Sequence, residues 1–373
     1  MSIFLPSLND MAVYFDADYV LMQLAVSGYL AATAVLQIIV GPLSDRFGRR
    51  PVALIALALF ILATLGTLVA PTAEWFLFCR ICQATVAAGM ALSRAIVRDL
   101  YEPEQAAALI AFVTMGMSLV PMFGPAIGGT LAQFFGWKSS FVLLAASGAL
   151  VFWLVFRDLG ETVRSQGMLF RQQVRTYPEL LSSPRFWGYS AAAACCSGGF
   201  FALLGGSSFV ADTVFGLSPF WAGVGLGSPA IGYALGNGIS ARYSVRIGLD
   251  RMVLWGAAIS TAGLGVSLGL SLLGLSHPVL FFGFCTFLGV GNGMVLPNAT
   301  TGAISVRPHL AGTASGLSGA FMVAGGAALS SLAGAMLNVT SGALPLQALM
   351  FASCAGSIVA ILYVMKRARE KGI

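Results

Sequence analysis

Charge is what this chain lacks most: Asp, Glu, Lys and Arg together make up 9% of its 373 residues, against roughly 25% in a soluble domain. So few charges cannot cover a water-facing surface, so lipid must be the solvent for most of the exterior. Histidine is almost absent, with His277 and His309 alone. The six cysteines all fall inside apolar runs. Cys79-x-x-Cys82 has no second pair and no nearby histidine, so the thiols read as packing residues and no metal or cofactor is expected. The run Gly289-x-Gly291-x-Gly293 lies in an apolar stretch with no strand before it, which excludes a nucleotide cradle. With no phosphate loop, an ATP-driven pump is excluded. With no carboxylate pair, metal cluster or Ser–His arrangement inside the apolar runs, a membrane enzyme is excluded as well. The opening residues carry no positive stretch and Asp10 interrupts them, so no cleavable leader is expected.

What the chain has instead is apolar length. Hydrophobic residues make up 58% and the mean hydropathy is +0.87. About 20 apolar residues cross a bilayer as a helix. Eleven runs reach that length, at 20–43, 52–70, 75–97, 105–133, 139–157, 186–211, 219–241, 252–275, 278–302, 309–337 and 344–365. A backbone in lipid must satisfy its own hydrogen bonds, so these runs predict helices and an all-α polytopic protein. The net charge of +6 does not point to nucleic acid, because the basic residues lie in short scattered loops rather than on one face. They do share one side. Arg46, Arg49, Arg50, Arg98, Arg157, Arg185, Arg242, Arg246, Arg251, Arg307 and the tail from Lys366 to Lys371 alternate with loops whose only basic residue is Lys138. The positive-inside rule then predicts a cytoplasmic C-terminus in a bacterial inner membrane.

The halves are unequal. Residues 186–373 hold six of the runs and 1–157 hold five, joined by a charged linker at 158–185. The segment MSIFLPSLND therefore reads as the outer end of a first helix whose beginning is missing. GPLSDRFGRRPVAL after the first run is weakly echoed by NGISARYSVRIGLDRMVL after the seventh. Two six-helix halves with matching basic turns form a transporter layout, with substrate held between them near the midplane.

The turn GPLSDRFGRRPV, residues 41–52, concentrates one aspartate and three arginines. A plain positive-inside loop accounts for the arginines but not for Asp45 or the glycine spacing. Arg49 and Arg50 are expected in the lipid headgroups, with Pro51 starting the next helix. Gly41-x-x-x-Asp45-Arg46-x-Gly48-Arg49-Arg50 resembles the signature loop of major facilitator transporters. Arg80-x-x-Gln83, continuing to Arg94, Arg98 and Asp99, resembles the fourth-helix motif of proton-linked drug exporters. Pro121-x-x-Gly124-Pro125-x-x-Gly128-Gly129 resembles their antiporter motif. With MSIFLPSL, the chain resembles the bicyclomycin/chloramphenicol-resistance (Bcr/CflA-like) branch. The resemblance implies a major-facilitator fold, proton-coupled multidrug efflux by alternating access, and a monomer with small organic substrates and protons as partners. It also implies a gate in which Asp45 meets the start of the 309–337 helix and Arg94 or Arg98 in the outward-facing state. There are departures: Ala84 and Val120 replace the glycines usual at those places. An aspartate commonly precedes the Met-x-x-Leu-Pro-like segment, and Met1 stands where its successor would be. None of the fourteen acids lies in the middle of a run, so a proton carrier is not evident.

Several readings stay open. Arg80 either snorkels outward past Glu74, marking an interface, or faces the cavity with Gln83 as proton relay or substrate contact. On one straight helix it would lie about 27 Å from Arg98. The Pro121–Gly129 segment either packs generically or forms a seal against ion leak. Tyr29, Gln37, Met115, Asn237, Asn292 and Asn298 are nominated as cavity-facing substrate contacts, with ordinary packing as the alternative for each. A transporter of one specific metabolite, or a truncated inactive carrier, are the other readings of the whole chain.

Overall fold

The computed structural model describes residues 3–101, 105, 109, 123–162, 178–307, 310–338 and 342–370, and these are helical with short connections. A 3₁₀ turn, Leu5–Ser7, and α1, Leu8–Tyr14, open the chain. They are followed by α2, Tyr19–Phe47, α3, Arg49–Leu68, α4, Ala73–Cys82, and α5, Ala87–Leu100. Residues 123–135 form the described part of α6. Then come α7, Lys138–Asp158, α8, Pro184–Phe209, α9, Pro219–Ile247, α10, Leu249–Leu272, α11, Pro278–Ser305, α12, Ala311–Met336, and α13, Leu344–Glu370.

Among the described residues, nine helices are long and apolar enough to cross a membrane, against the eleven runs read from sequence. The fourth run, 105–133, lies mostly outside the described residues. The seventh is a 29-residue helix, α9, but its glycines, serines and terminal arginines hold its hydropathy down. The third run is broken. A 3₁₀ turn at Gln83–Val86 separates α4 from α5, and Thr85 Oγ1 donates to the Cys82 carbonyl at 3.1 Å, a side-chain bond that competes with the regular ladder. The turn lies inside one candidate span, Ala73–Val97.

The 41–52 stretch is not a loop. Asp45 and Arg46 belong to the last turn of α2, and Arg49 and Arg50 to the first turn of α3. The whole reversal falls on Gly48, at φ 97° and ψ 150°, a region essentially confined to glycine. Arg46 sits near the C-terminal end of α2, where a cation is favoured by the helix dipole.

In the second bundle, α9, α10 and α13 surround α11 and α8, with α11 wedged against α9 and α10. Glycines allow that contact. A Cβ at Gly232 or Gly236 would strike the α11 backbone, and one at Gly289 or Gly293 would strike Pro229, Tyr233 or Asn237 on α9. The Gly289–Gly293 pattern thus serves helix approach in lipid, where packing of small residues replaces the hydrophobic drive. Between bundles, α2 lies along α12.

The cores reveal the overall posture. At the end opposite the Gly48 and Gly248 turns, one apolar cluster runs through both bundles, from Phe4, Leu5, Met22 and Phe141 to Leu203, Val210, Leu226 and Phe281. At the end bearing those turns the cores are separate. Val40, Val52, Ala53, Ala88 and Leu92 form one, and Phe186, Val253, Leu317 and Val364 belong to the other. Among the described residues, the apolar cores of the two bundles are continuous at one end and separate at the other.

Candidate functional site

The basic turn is built around Arg49. Because α3 starts immediately after Gly48, the Arg49 side chain folds back under the end of α2 and is only 8% exposed. Its Nη1 meets Asp45 at 2.5 Å and its Nε meets Asp99, at the end of α5, at 3.1 Å. Nη1 also donates to Ser44 Oγ. The backbone N–H of Arg49 donates to Glu161 Oε1 at 2.9 Å, so a carboxylate from beyond α7 caps α3. Thr162 Oγ1 donates to Asp99 at 3.4 Å. Of the two arginines expected in the headgroups, Arg49 departs from that reading. Arg49 is a buried ion-pair hub, and Arg50 donates to the Phe156 carbonyl at 2.8 Å while lying over the Phe156 ring. Arg46 remains exposed beside Phe47. Asp45 is engaged by Arg49 within its own bundle. The side chains of Arg94, Arg98 and the first residues of α12 lie outside the described residues. Gly41 has open space around it. Glu161 and Thr162 escaped sequence reasoning because a carboxylate just after an apolar run looks like any solvated loop residue.

The second constellation surrounds Arg80, which is 1% exposed. Its guanidinium lies between two rings, 4.5 Å from the Phe4 centroid and 4.3 Å from that of Tyr29. Nη1 donates to Gln83 Oε1 at 2.5 Å, and Gln83 Nε2 donates to Thr64 Oγ1 at 2.9 Å. The 3₁₀ turn that begins at Gln83 sets this arrangement. The outward-snorkelling reading is overturned, because the head group is enclosed by α2, α3 and the N-terminal segment. Cation–π contact and a planar hydrogen-bonding fork are properties of arginine that lysine supplies poorly.

The antiporter-motif residues bring backbones together. A Cβ at Gly128 would strike the Ile3 carbonyl, and one at Gly129 the Pro219 carbonyl of α9. From the facing side, a Cβ at Gly223 would strike Pro125 and Ala126. Residues 125–129 therefore line a seam between α6 and α9; Gly124 belongs to the same helix, and Pro121 lies outside the described residues.

Of the nominated substrate contacts, Tyr29 is occupied by Arg80. Asn298 Nδ2 is spent on Ser240 Oγ and the Met294 carbonyl, at 2.8 and 2.7 Å, and Asn237 Nδ2 on the Tyr233 carbonyl at 2.9 Å. Asn298 thus ties α11 to α9, while the Asn237 bond stays within α9. Asn292 is buried, with its Oδ1 lacking a hydrogen-bond partner. Gln37 faces Gly319 of α12, its Oε1 3.4 Å from where a Cβ would stand. Met115 lies outside the described residues. A cleft of about 240 Å³ opens on the α2–α12 seam, lined by Leu24, Ser27, Gly28, Ala31, Ala327 and Ser331 among others, and none of the nominated residues lines it.

Two helical bundles whose apolar cores merge at one end and, among the described residues, stay separate at the other, with a charged turn at that second end, form a transporter-like scaffold. The Major Facilitator Superfamily profile matches residues 1–331, and the chain belongs to that superfamily. It is 30% identical to the uncharacterised MFS-type transporter YdgK of Bacillus subtilis, over 94% of this chain and 88% of that one. It is 27% identical to multidrug resistance protein D of Escherichia coli, over 92% and 87%. It is also 27% identical to a bicyclomycin resistance protein homolog of Haemophilus influenzae, over 98% and 92%. Among solved structures, a bacterial homolog of the human lysosomal transporter Spinster, inward-facing and unoccupied, superposes with a TM-score of 0.74 at 16% identity, over 99% of this chain and 93% of that one. The human organic anion transporter MFSD10 gives 0.67 at 19%, over 97% and 89%.

Proposed function

We propose that this protein is a secondary active multidrug exporter that exchanges organic compounds for protons by alternating access. The observation that carries the reading is the contrast between a shared core at one end of the bundles and separate cores at the other. That is the form of a carrier caught open to one side. The relatives named for multidrug and bicyclomycin resistance supply the substrate class. Residues 1–157 and 186–373 act as the two rocking bodies, with 158–185 as linker. The basic turns and the Lys366–Arg369 tail face the cytoplasm of a bacterial inner membrane, so the conformation is inward-facing, and the carrier works as a monomer.

In this reading the Asp45–Arg49–Asp99 cluster, capped by Glu161, is the resting form of the cytoplasmic gate. On closure Asp45 exchanges Arg49 for partners on α12 and on Arg94 or Arg98. Arg80 and Gln83 hold the polar centre of the first bundle, as proton relay or substrate contact, and residues 124–129 hold the α6–α9 seam against leak.

The test is efflux of a fluorescent lipophilic cation from cells making the protein, with and without a proton uncoupler. Efflux that the uncoupler abolishes is expected; efflux that persists, or none for any cation tried, overturns the reading.

A further inference from the structure

Gln23 sits one turn into α2 and is 1% exposed, although it carries a full amide. It does not face a water-filled space. Its side chain crosses from the first bundle into a slot of the second, where Nε2 donates to the Ser330 carbonyl of α12. Two glycines make the slot. A Cβ at Gly205 of α8 would lie 2.5 Å from Gln23 Nε2, and a Cβ at Gly334 of α12 would collide with Gln23 Oε1. The Ser330 hydroxyl, buried in the same place, has no partner. Neighbouring bonds run the same way across the bundles: Tyr19 Oη donates to the Gly205 carbonyl at 3.1 Å, the Phe209 N–H donates to Tyr19 Oη at 3.2 Å, and Ser208 Oγ donates to the Leu5 carbonyl.

We propose that Gln23 is the positioning latch of the seal opposite the basic turns, an amide that locks α2 to α8 and α12 when that end is closed. In lipid, helix surfaces are not pushed together by the hydrophobic effect, so close packing of small residues and interhelical hydrogen bonds set the strength of contact. An interface that must open in every cycle is served by a few specific bonds, and the Gln23 amide in its glycine slot is the one that reaches α12. The amide is satisfied when the slot is shut and is released to water when the bundles rock apart. A greasy side chain there would leave the Ser330 carbonyl without the amide donor and the slot without its bond.

The inference rests on the alternating-access reading but not on any substrate, so it is tested without transport. The purified full chain is compared with Gln23→Leu and Gly205→Ala by hydrogen–deuterium exchange at segments 203–209 and 330–337, which form the seal, and at 40–47 and 186–193, near the basic turns. Both variants should raise exchange at the seal roughly three- to tenfold, the range for losing one interhelical bond, and should lower it near the basic turns as the population shifts to the other state. Gly205→Ala keeps the amide, but its Cβ would press on the Ser330 carbonyl as well as on Gln23 Nε2, so Gln23→Asn, which leaves the α8–α12 contact alone and only shortens the amide, decides the matter where Gln23→Leu fails to fold and should raise exchange at the seal likewise. Unchanged exchange, or a rise at the seal with no fall at the other end, overturns the latch and leaves Gln23 as local packing. Loss of drug efflux with the reciprocal exchange intact would instead fault the functional reading.

Discussion

Gly48 and Gly248 are two hundred positions apart and have almost the same backbone, φ 97° with ψ 150° and φ 90° with ψ 152°. Each ends a 29-residue helix and starts the next at once. The internal repeat is therefore real at the level of the chain path. Its chemistry is not symmetric. Where the first turn has Asp45 and Arg49, the second has Val245, 96% exposed, and Leu249. The second turn's carboxylate is Asp250, which accepts from Tyr189 Oη at 2.5 Å. Only one half carries the Arg49 hub.

The glycine pair yields a graded stability prediction. Alanine at either place is strained by on the order of 1–3 kcal/mol, because a side chain disfavours this backbone region. At Gly48 the added Cβ also meets the Glu161 carboxylate and lies 3.2 Å from Pro51 Cδ, whereas at Gly248 it meets open space. Gly48→Ala should therefore lower the melting temperature in detergent more than Gly248→Ala. Equal shifts would show that Glu161 moves aside freely.

Asp45→Asn removes the charge facing Arg49 without changing shape. Efflux should fall by about tenfold or more, as for breaking a half-buried pair, while membrane abundance stays at the parental level by immunoblot. Near-normal efflux would remove Asp45 from the gate.

Arg80→Lys keeps the cation but loses the flat fork that lies between Phe4 and Tyr29 and reaches Gln83. Efflux should drop severalfold, with Thr64→Val giving a milder loss through Gln83. Parental efflux in Arg80→Lys would reduce the site to a buried charge that stabilises packing.

Asp10 supplies a pH prediction. Its side chain stays exposed, yet the surrounding helices withdraw part of its water, and this desolvation, with the nearby Asp212 charge second, raises its carboxyl above the ordinary 3.8. Asn9 Nδ2 donates to Asp212 from across the bundles. A carboxyl raised in the sealed state binds its proton better there. Its contribution to the seal is full below the ordinary value and is lost as pH rises through the raised one. Protection at 203–209, after correction for the intrinsic pH dependence of amide exchange, should fall with rising pH over that window, and Asp10→Asn should flatten the dependence. A flat profile in the parent protein would refute it.

Composition alone determined that this is a helical membrane protein, because 9% charge cannot solvate a surface and lipid admits only self-satisfied backbone. Residues 41–52 also stood out as the candidate gate, since charge and glycine in an otherwise apolar chain have few other uses. Periodicity located the helices but not the 3₁₀ break at Gln83, which depends on a local contest between Thr85 and the backbone. Tertiary structure alone decided the partners. Arg49 was legible as a headgroup anchor until the sharp turn at Gly48 placed it under α2. Gln23 was one polar residue among many until α8 and α12 presented glycines to it. A side chain's chemistry is local and can be read from sequence. Its partner is set by which distant surface the fold brings within 3 Å or so, and one sequence does not encode that distance in any short pattern.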